Sequence, residues 1–124
     1  MSAPQSVTAN FGTIAVAPDV TAQLTISTGA PAFNRATGRF SQAVTIVNNG
    51  AALVSSAYVL DNLAAGYTMF APNGFTSATA PVGSPYVEIG PLGAGGSITF
   101  TIQLTRTGTP ALTYTPRVLG AGSR

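Results

Sequence analysis

The chain has 124 residues, of which only eight are charged, and a formal net charge of +2. It contains no His, Cys, Lys or Trp, which excludes Ser-His-Asp and Cys-His nucleophile systems and the usual zinc sites. Soluble domains carry roughly a quarter charged residues, so a neutral surface of Thr, Ser, Ala, Gly and Asn takes the place of the usual salt-rich one.

A chain of this length makes one domain, here 1–124, and folding can bury about two thirds of its extended surface without disulfide or metal. Mean hydropathy is +0.35, but the apolar residues fall in short runs. None approaches the roughly 20 residues of a membrane-crossing helix, so membrane insertion is not expected. Five Arg against three acids, with only Arg35 and Arg39 close together, give a phosphate backbone little to bind, so nucleic acid is not an expected partner. The residues after Met1-Ser2 lack the charged and apolar regions of a signal peptide. The composition fits a domain cut from a longer secreted protein better than a cytoplasmic one.

The dominant period along the chain is two. An early strand is expected near 5–16, where Phe11, Ile14 and Val16 are apolar. Val20, Ala22, Leu24 and Ile26 then alternate with Thr21, Gln23, Thr25 and Ser27, which predicts a half-buried strand. Phe40, Gln42, Val44 and Ile46 are in phase for another. Shorter candidates follow at 55–60, 66–70 and 86–90. Ile98, Phe100, Ile102 and Leu104 alternate with Thr99, Thr101, Gln103 and Thr105 in the clearest strand of the chain. Residues 112–119 alternate less cleanly, and Pro116 marks that strand as an edge or a bulge.

Turn residues punctuate these runs at Gly29-Ala30-Pro31, Thr37-Gly38, Asn48-Asn49-Gly50, Pro72-Asn73-Gly74, Pro81-Val82-Gly83 and Gly93-Ala94-Gly95-Gly96. No dozen-residue window keeps a helical period. Residues 72–85 read as a long loop crossing between sheets. The ends, 1–10 and 120–124, read as free, able to fray or to exchange with a neighbour. The expected fold is all-β: an antiparallel, Ig-like β-sandwich of seven to eight strands.

Two signatures carry a family resemblance. One is Gln42-Ala43-Val44-Thr45-Ile46-Val47-Asn48-Asn49-Gly50, a strand ending in an Asn-x-Gly turn. The other is Leu92-Gly93-Ala94-Gly95-Gly96-Ser97-Ile98-Thr99-Phe100, a Gly-rich turn feeding a Thr-alternating strand. Over about residues 33–119 the chain resembles bacterial extracellular immunoglobulin-like and fibronectin type III-like modules, including cell-adhesion-related domains. The segment from Asn34 to Phe40 is similar to a subset found at the ends of large secreted proteins. Ala94 stands where these modules usually have Pro, and there is an extra Gly. The resemblance implies a seven-stranded sandwich at the cell surface serving as spacer, accessory or adhesion module, and it carries over no catalytic residue.

Several constellations remain. Asp61-Asn62 reads either as a calcium ligand pair or as a turn. Calcium needs six to eight oxygens and usually several carboxylates, which favours the turn. Asp61 and Glu88 are the residues on which any weak hydrolytic chemistry would rest. Phe33, Arg35, Arg39 and Phe40 surround Thr37-Gly38. They read either as a contact loop, since Arg and aromatics favour binding hot spots, or as a hairpin with the two Phe paired across it and the two Arg solvating its tip. Tyr58, Tyr67, Tyr86 and Tyr114 form a sugar-stacking platform if exposed and coplanar, and otherwise line the core rim. A glycan would then bind through Tyr58, Tyr67, Tyr86 and Arg39.

The neutral surface has few of the charges that block edge-to-edge pairing. It suits a protein partner or further copies of the chain. Val7-Thr8-Ala9 or the C-terminal strand would then add to a neighbour's sheet. The expected function is therefore non-catalytic, without cofactor or metal: an extracellular spacer, adhesion or self-assembly module. The alternative is a carbohydrate-binding accessory module. No side chain that normally titrates between pH 5 and 9 is present, so stability is expected to vary little across that window.

Overall fold

A computed structural model describes residues 16–107 and 111–124. Two antiparallel sheets contain nine strands, and there is no α-helix among the described residues. The strands are β1 (Leu24–Thr28), β2 (Ala32–Asn34), β3 (Arg39–Asn48), β4 (Ala57–Asp61), β5 (Tyr67–Met69), β6 (Gly74–Phe75), β7 (Pro85–Glu88), β8 (Ser97–Arg106) and β9 (Thr115–Leu119). The first sheet runs β1-β3-β8-β5, with β2 also paired to the start of β3. The second runs β6-β7-β4-β9. The result is an all-β sandwich.

The long strands β3 and β8 form its spine, paired in register from Arg39 with Thr105 to Val47 with Ser97. Side chains on a strand alternate between faces. Val44 and Ile46 of β3 therefore share the inner face with Ile102 and Leu104 of β8, where Met69, Tyr58, Leu60 and Val118 meet them. Burying each such aliphatic side chain is worth about 1.5–3 kcal/mol.

Strand β4 departs from alternation, because all five of its residues are buried. Tyr58 and Leu60 face the main core, while Val59 packs outward against Ala17 and Leu119, with Tyr86 beside them. The outer face of this sheet is roofed by the chain itself. Arg117 reaches the carbonyls of Ala80 and Pro81 from it. Thr76 closes residues 76–84 into a compact loop: its hydroxyl donates to the Pro81 carbonyl and accepts from the Ser84 amide.

Several expectations are corrected. The strand count among the described residues is nine, not seven to eight: β2 and the two-residue β6 are additional. Residues 21–23 are a 3-10 turn, not the start of β1, because the Asp19 carboxylate accepts from both the Thr21 amide and its hydroxyl. This local bond outcompetes the strand ladder. The region 72–85 contains β6 and the folded loop just described. Residues 120–124, expected to be free, are held in place. The Arg124 main-chain oxygen accepts from the amides of Ser77, Ala78 and Thr79, and the Ala17 amide donates to the Ser123 carbonyl. Val16 pairs in parallel with Ser123. The remainder of the early strand, and Val7-Thr8-Ala9, lie outside the described residues.

Pro116 sits as expected on an edge strand, β9. Residues 18–21 cover part of that edge, since the Val20 amide donates to Val118 and the Thr21 hydroxyl accepts from it. Strand β1 is an edge with no charge and no Pro.

Candidate functional site

The hairpin β2–β3 places the first group of candidate residues. Asn34 starts its turn: the side chain accepts from the Ala36 amide and the carbonyl from Gly38. Gly38 closes the turn at φ +70°, a value that favours glycine. Phe33 and Phe40 pair directly across the hairpin, with ring centroids 4.9 Å apart. The hairpin reading of this segment therefore describes its geometry. Arg35 is exposed in the turn.

Sheet pairing then brings in residues that the sequence did not group with them. Tyr67 opens β5 opposite Arg106, the last residue of β8. The Tyr67 ring stands edge-on to Phe40 at 6.0 Å. The Arg106 guanidinium lies 4.4 Å from the Phe40 ring centre, and that of Arg39 lies 3.6 Å from Phe70. One end of the five-stranded sheet thus collects Phe33, Phe40, Tyr67 and Phe70 with Arg35, Arg39 and Arg106. Stacking of this kind contributes about 0.5–1 kcal/mol per pair at exposed sites.

The four tyrosines do not form a platform. Tyr58 is fully buried in the core, Tyr67 is buried at its end, and Tyr86 packs on the outer side of the other sheet. A sugar-stacking role for Tyr58, Tyr67 and Tyr86 acting together has no common exposed face. Instead the buried Tyr58 and the half-buried Tyr114 form a hydrogen-bonded chain. The Tyr114 hydroxyl donates to Gln42 Oε1 at 2.5 Å, and Gln42 Nε2 donates to the Gly29 carbonyl at 3.0 Å. With its proton so placed, Tyr114 accepts from Tyr58 at 2.8 Å.

Burial pushes the Tyr58 phenol far above its usual value, and the adjacent Tyr114 hydroxyl adds to the shift. Burial also raises Tyr114, partly offset by its bond to Tyr58. Both phenols hold their protons more tightly folded than unfolded. Stability from this pair is complete below the unfolded tyrosine value, about pH 10, and is lost as pH rises beyond it. The melting temperature should therefore stay nearly flat from pH 5 to 9 and fall above about pH 10. Tyr58→Phe should flatten that alkaline decline; an unchanged slope would refute the assignment.

The acidic residues are also accounted for. Asp61 is gripped by Arg117 through two bonds, Nε to Oδ2 at 2.7 Å and Nη2 to Oδ1 at 3.1 Å, and both side chains are buried. Asn62 follows it in a left-handed turn conformation, φ +54°. Glu88 pairs with Arg124 at 2.7 Å. Glu88 lies opposite Ala57, four residues before Asp61 along β4, which separates the two acids by about 13 Å. No cluster of three metal-ligating side chains occurs among the described residues.

A shallow groove of about 430 Å³ opens on the β5 and β6 side of the sandwich, between Leu60, Met69, Phe75 and Val82. No helix of the described residues is long and apolar enough to cross a membrane. A scan against protein-family models and a search of characterised proteins found no match to this chain.

Proposed function

We propose that the protein is a non-catalytic structural module, immunoglobulin-like in kind and acting at or outside a bacterial cell surface, that works by association with a protein partner or with further copies of itself. One observation carries this reading. No described residue roofs the outer face of the five-stranded sheet, and among the described residues that face holds a single charge, Arg39. The register places Thr25 and Ser27, then Ser41, Ala43 and Thr45, then Thr99, Thr101 and Thr105, and finally Thr68 on that face. The Thr45 and Thr99 hydroxyls bond each other across it at 3.0 Å. The other sheet's outer face is roofed by the chain, so the two faces are not equivalent. A face so poor in charge costs little to desolvate and lacks the like-charge repulsion that keeps sheets apart.

Light scattering behind size exclusion over a hundredfold concentration range, with electron microscopy of the same fractions, tests the reading. A defined oligomer or filament is expected, and Thr99→Lys with Thr101→Lys should dissolve it. A monomer throughout would remove self-assembly and leave a spacer or a heterologous contact.

A further inference from the structure

Three of the five arginines lie at one end of the five-stranded sheet. Arg35 is in the hairpin turn, Arg39 opens β3 and Arg106 closes β8. The three side-chain carboxylates are placed elsewhere. Asp61 is held by Arg117 and Glu88 by Arg124. Asp19 bonds its own turn beside Leu119. Leu119 pairs with the start of β4, whereas the end of β4 leads into β5 and so to Arg106. Asp19 is therefore at the far end of the molecule.

Arg35 and Arg39 make no ion pair and no side-chain hydrogen bond with any described residue. Stacking on Phe70 fixes the plane of the Arg39 guanidinium but leaves its N–H edge available, and that edge grips a carboxylate in a two-point fork. Phe70, on which Arg39 stacks, is 40 % exposed. Arginine beside exposed aromatics is the composition of interface hot spots.

We propose that this end of the sheet is a docking surface for an acidic segment of a partner protein. Arg35 and Arg39 would grip its carboxylates, and an apolar side chain of the partner would rest on Phe70. This rests on the reading of the chain as an association module and names the partner's chemistry. A second copy is a poor occupant, because its two exposed side-chain carboxylates are already engaged, Asp19 with its own turn and Glu88 with Arg124. A polysaccharide is a poor occupant too. The Phe33 and Phe40 rings are tilted by 48° and those of Phe40 and Tyr67 by 68°, so no common plane is presented for sugar stacking.

The test is fluorescence anisotropy with a labelled synthetic peptide of glutamates around one phenylalanine. The comparisons are the same peptide with glutamine for glutamate, and polygalacturonate as a carboxylated sugar polymer. The glutamate peptide should bind and weaken as salt is raised. Arg39→Ala with Arg35→Ala should weaken it by about tenfold or more, and Arg39→Lys should fail to restore the fork. Arg35 is exposed and Arg39 is half-buried on Phe70, so no more than a small fall in melting temperature, from the lost stack, should accompany the loss. Equal binding of the glutamine peptide, indifference to the arginine substitutions, or tighter binding of polygalacturonate would overturn the proposal. Light scattering on the same variants separates the two readings. Oligomers with no peptide binding would remove the docking surface alone. Peptide binding by a strict monomer would remove self-assembly alone.

Discussion

Arg117→Ala is expected to destabilise the protein by about 3–5 kcal/mol, the cost of leaving one member of a buried ion pair behind. Small domains have about 5–15 kcal/mol in total, so much of the stability would go. Two losses combine. Asp61, 4 % exposed, would keep a charge with neither partner nor water. The carbonyls of Ala80 and Pro81 would lose the guanidinium that fastens them to β9. Arg117→Lys should recover only part of the loss, since an ammonium cannot fork to Asp61 and reach both carbonyls. Asp61→Leu with Arg117→Met should be milder than either single alanine, because removing both charges removes the desolvation cost. Urea unfolding of the four variants measures this; a double variant worse than Arg117→Ala would refute the account.

Asn48→Asp should be nearly as damaging, at about 3 kcal/mol, although it exchanges only the amide NH2 for an oxygen. Asn48 is fully buried where β3 ends. Its Nδ2 donates toward the carbonyls of Ala51, Leu92 and Gly93, while Oδ1 accepts from the Gly50 amide and Gln23 Nε2. One side chain therefore joins the turn after β3 to the turn before β8. An aspartate would set a buried oxygen against three carbonyl oxygens. Asn48→Ala, which removes the group outright, should cost less than Asn48→Asp. The reverse order in urea unfolding would show that these bonds contribute little. Gly50 belongs to the same knot, since a Cβ there would fall 2.8 Å from Gln23.

Strands β3 and β8 were readable because each buries one face and shows the other to solvent, which is the situation that writes a period of two into a sequence. Strand β4 carries no such record, since the loop 76–84 and residues 16–18 cover its second face. The run Ala57-Tyr58-Val59-Leu60-Asp61 is buried throughout. Residues 72–85 read as a loop because their order comes from the two-residue β6, the local bonds of Thr76 and single polar contacts with the distant Arg117 and Arg124, none of which leaves a periodicity. The Asp61–Arg117 pair spans 56 residues, and no local pattern announces it.

The site was half legible. Phe33 and Phe40 flank a Thr-Gly turn, so their pairing followed from adjacency. Arg106 and Phe70 join them only through sheet pairing across β8 and β5. The available signal was Arg106, a cation ending the clearest alternating strand. Of the two readings of the tyrosines, the core-rim one describes Tyr58, Tyr67 and Tyr114, and what the sequence left out is that the Tyr58 hydroxyl finds its acceptor in another tyrosine.

The contact between Val16 and Ser123 has a mechanical consequence. The two segments run parallel, so tension drawing residue 16 and residue 124 apart loads that contact in shear. The load passes through the Ser123 carbonyl, the amides of residues 77–79 on Arg124 and the Arg124–Glu88 pair. None of these belongs to the β3–β8 spine. Force applied there would be spent on a peripheral clasp, and the long ladder would bear load only after that clasp had let go.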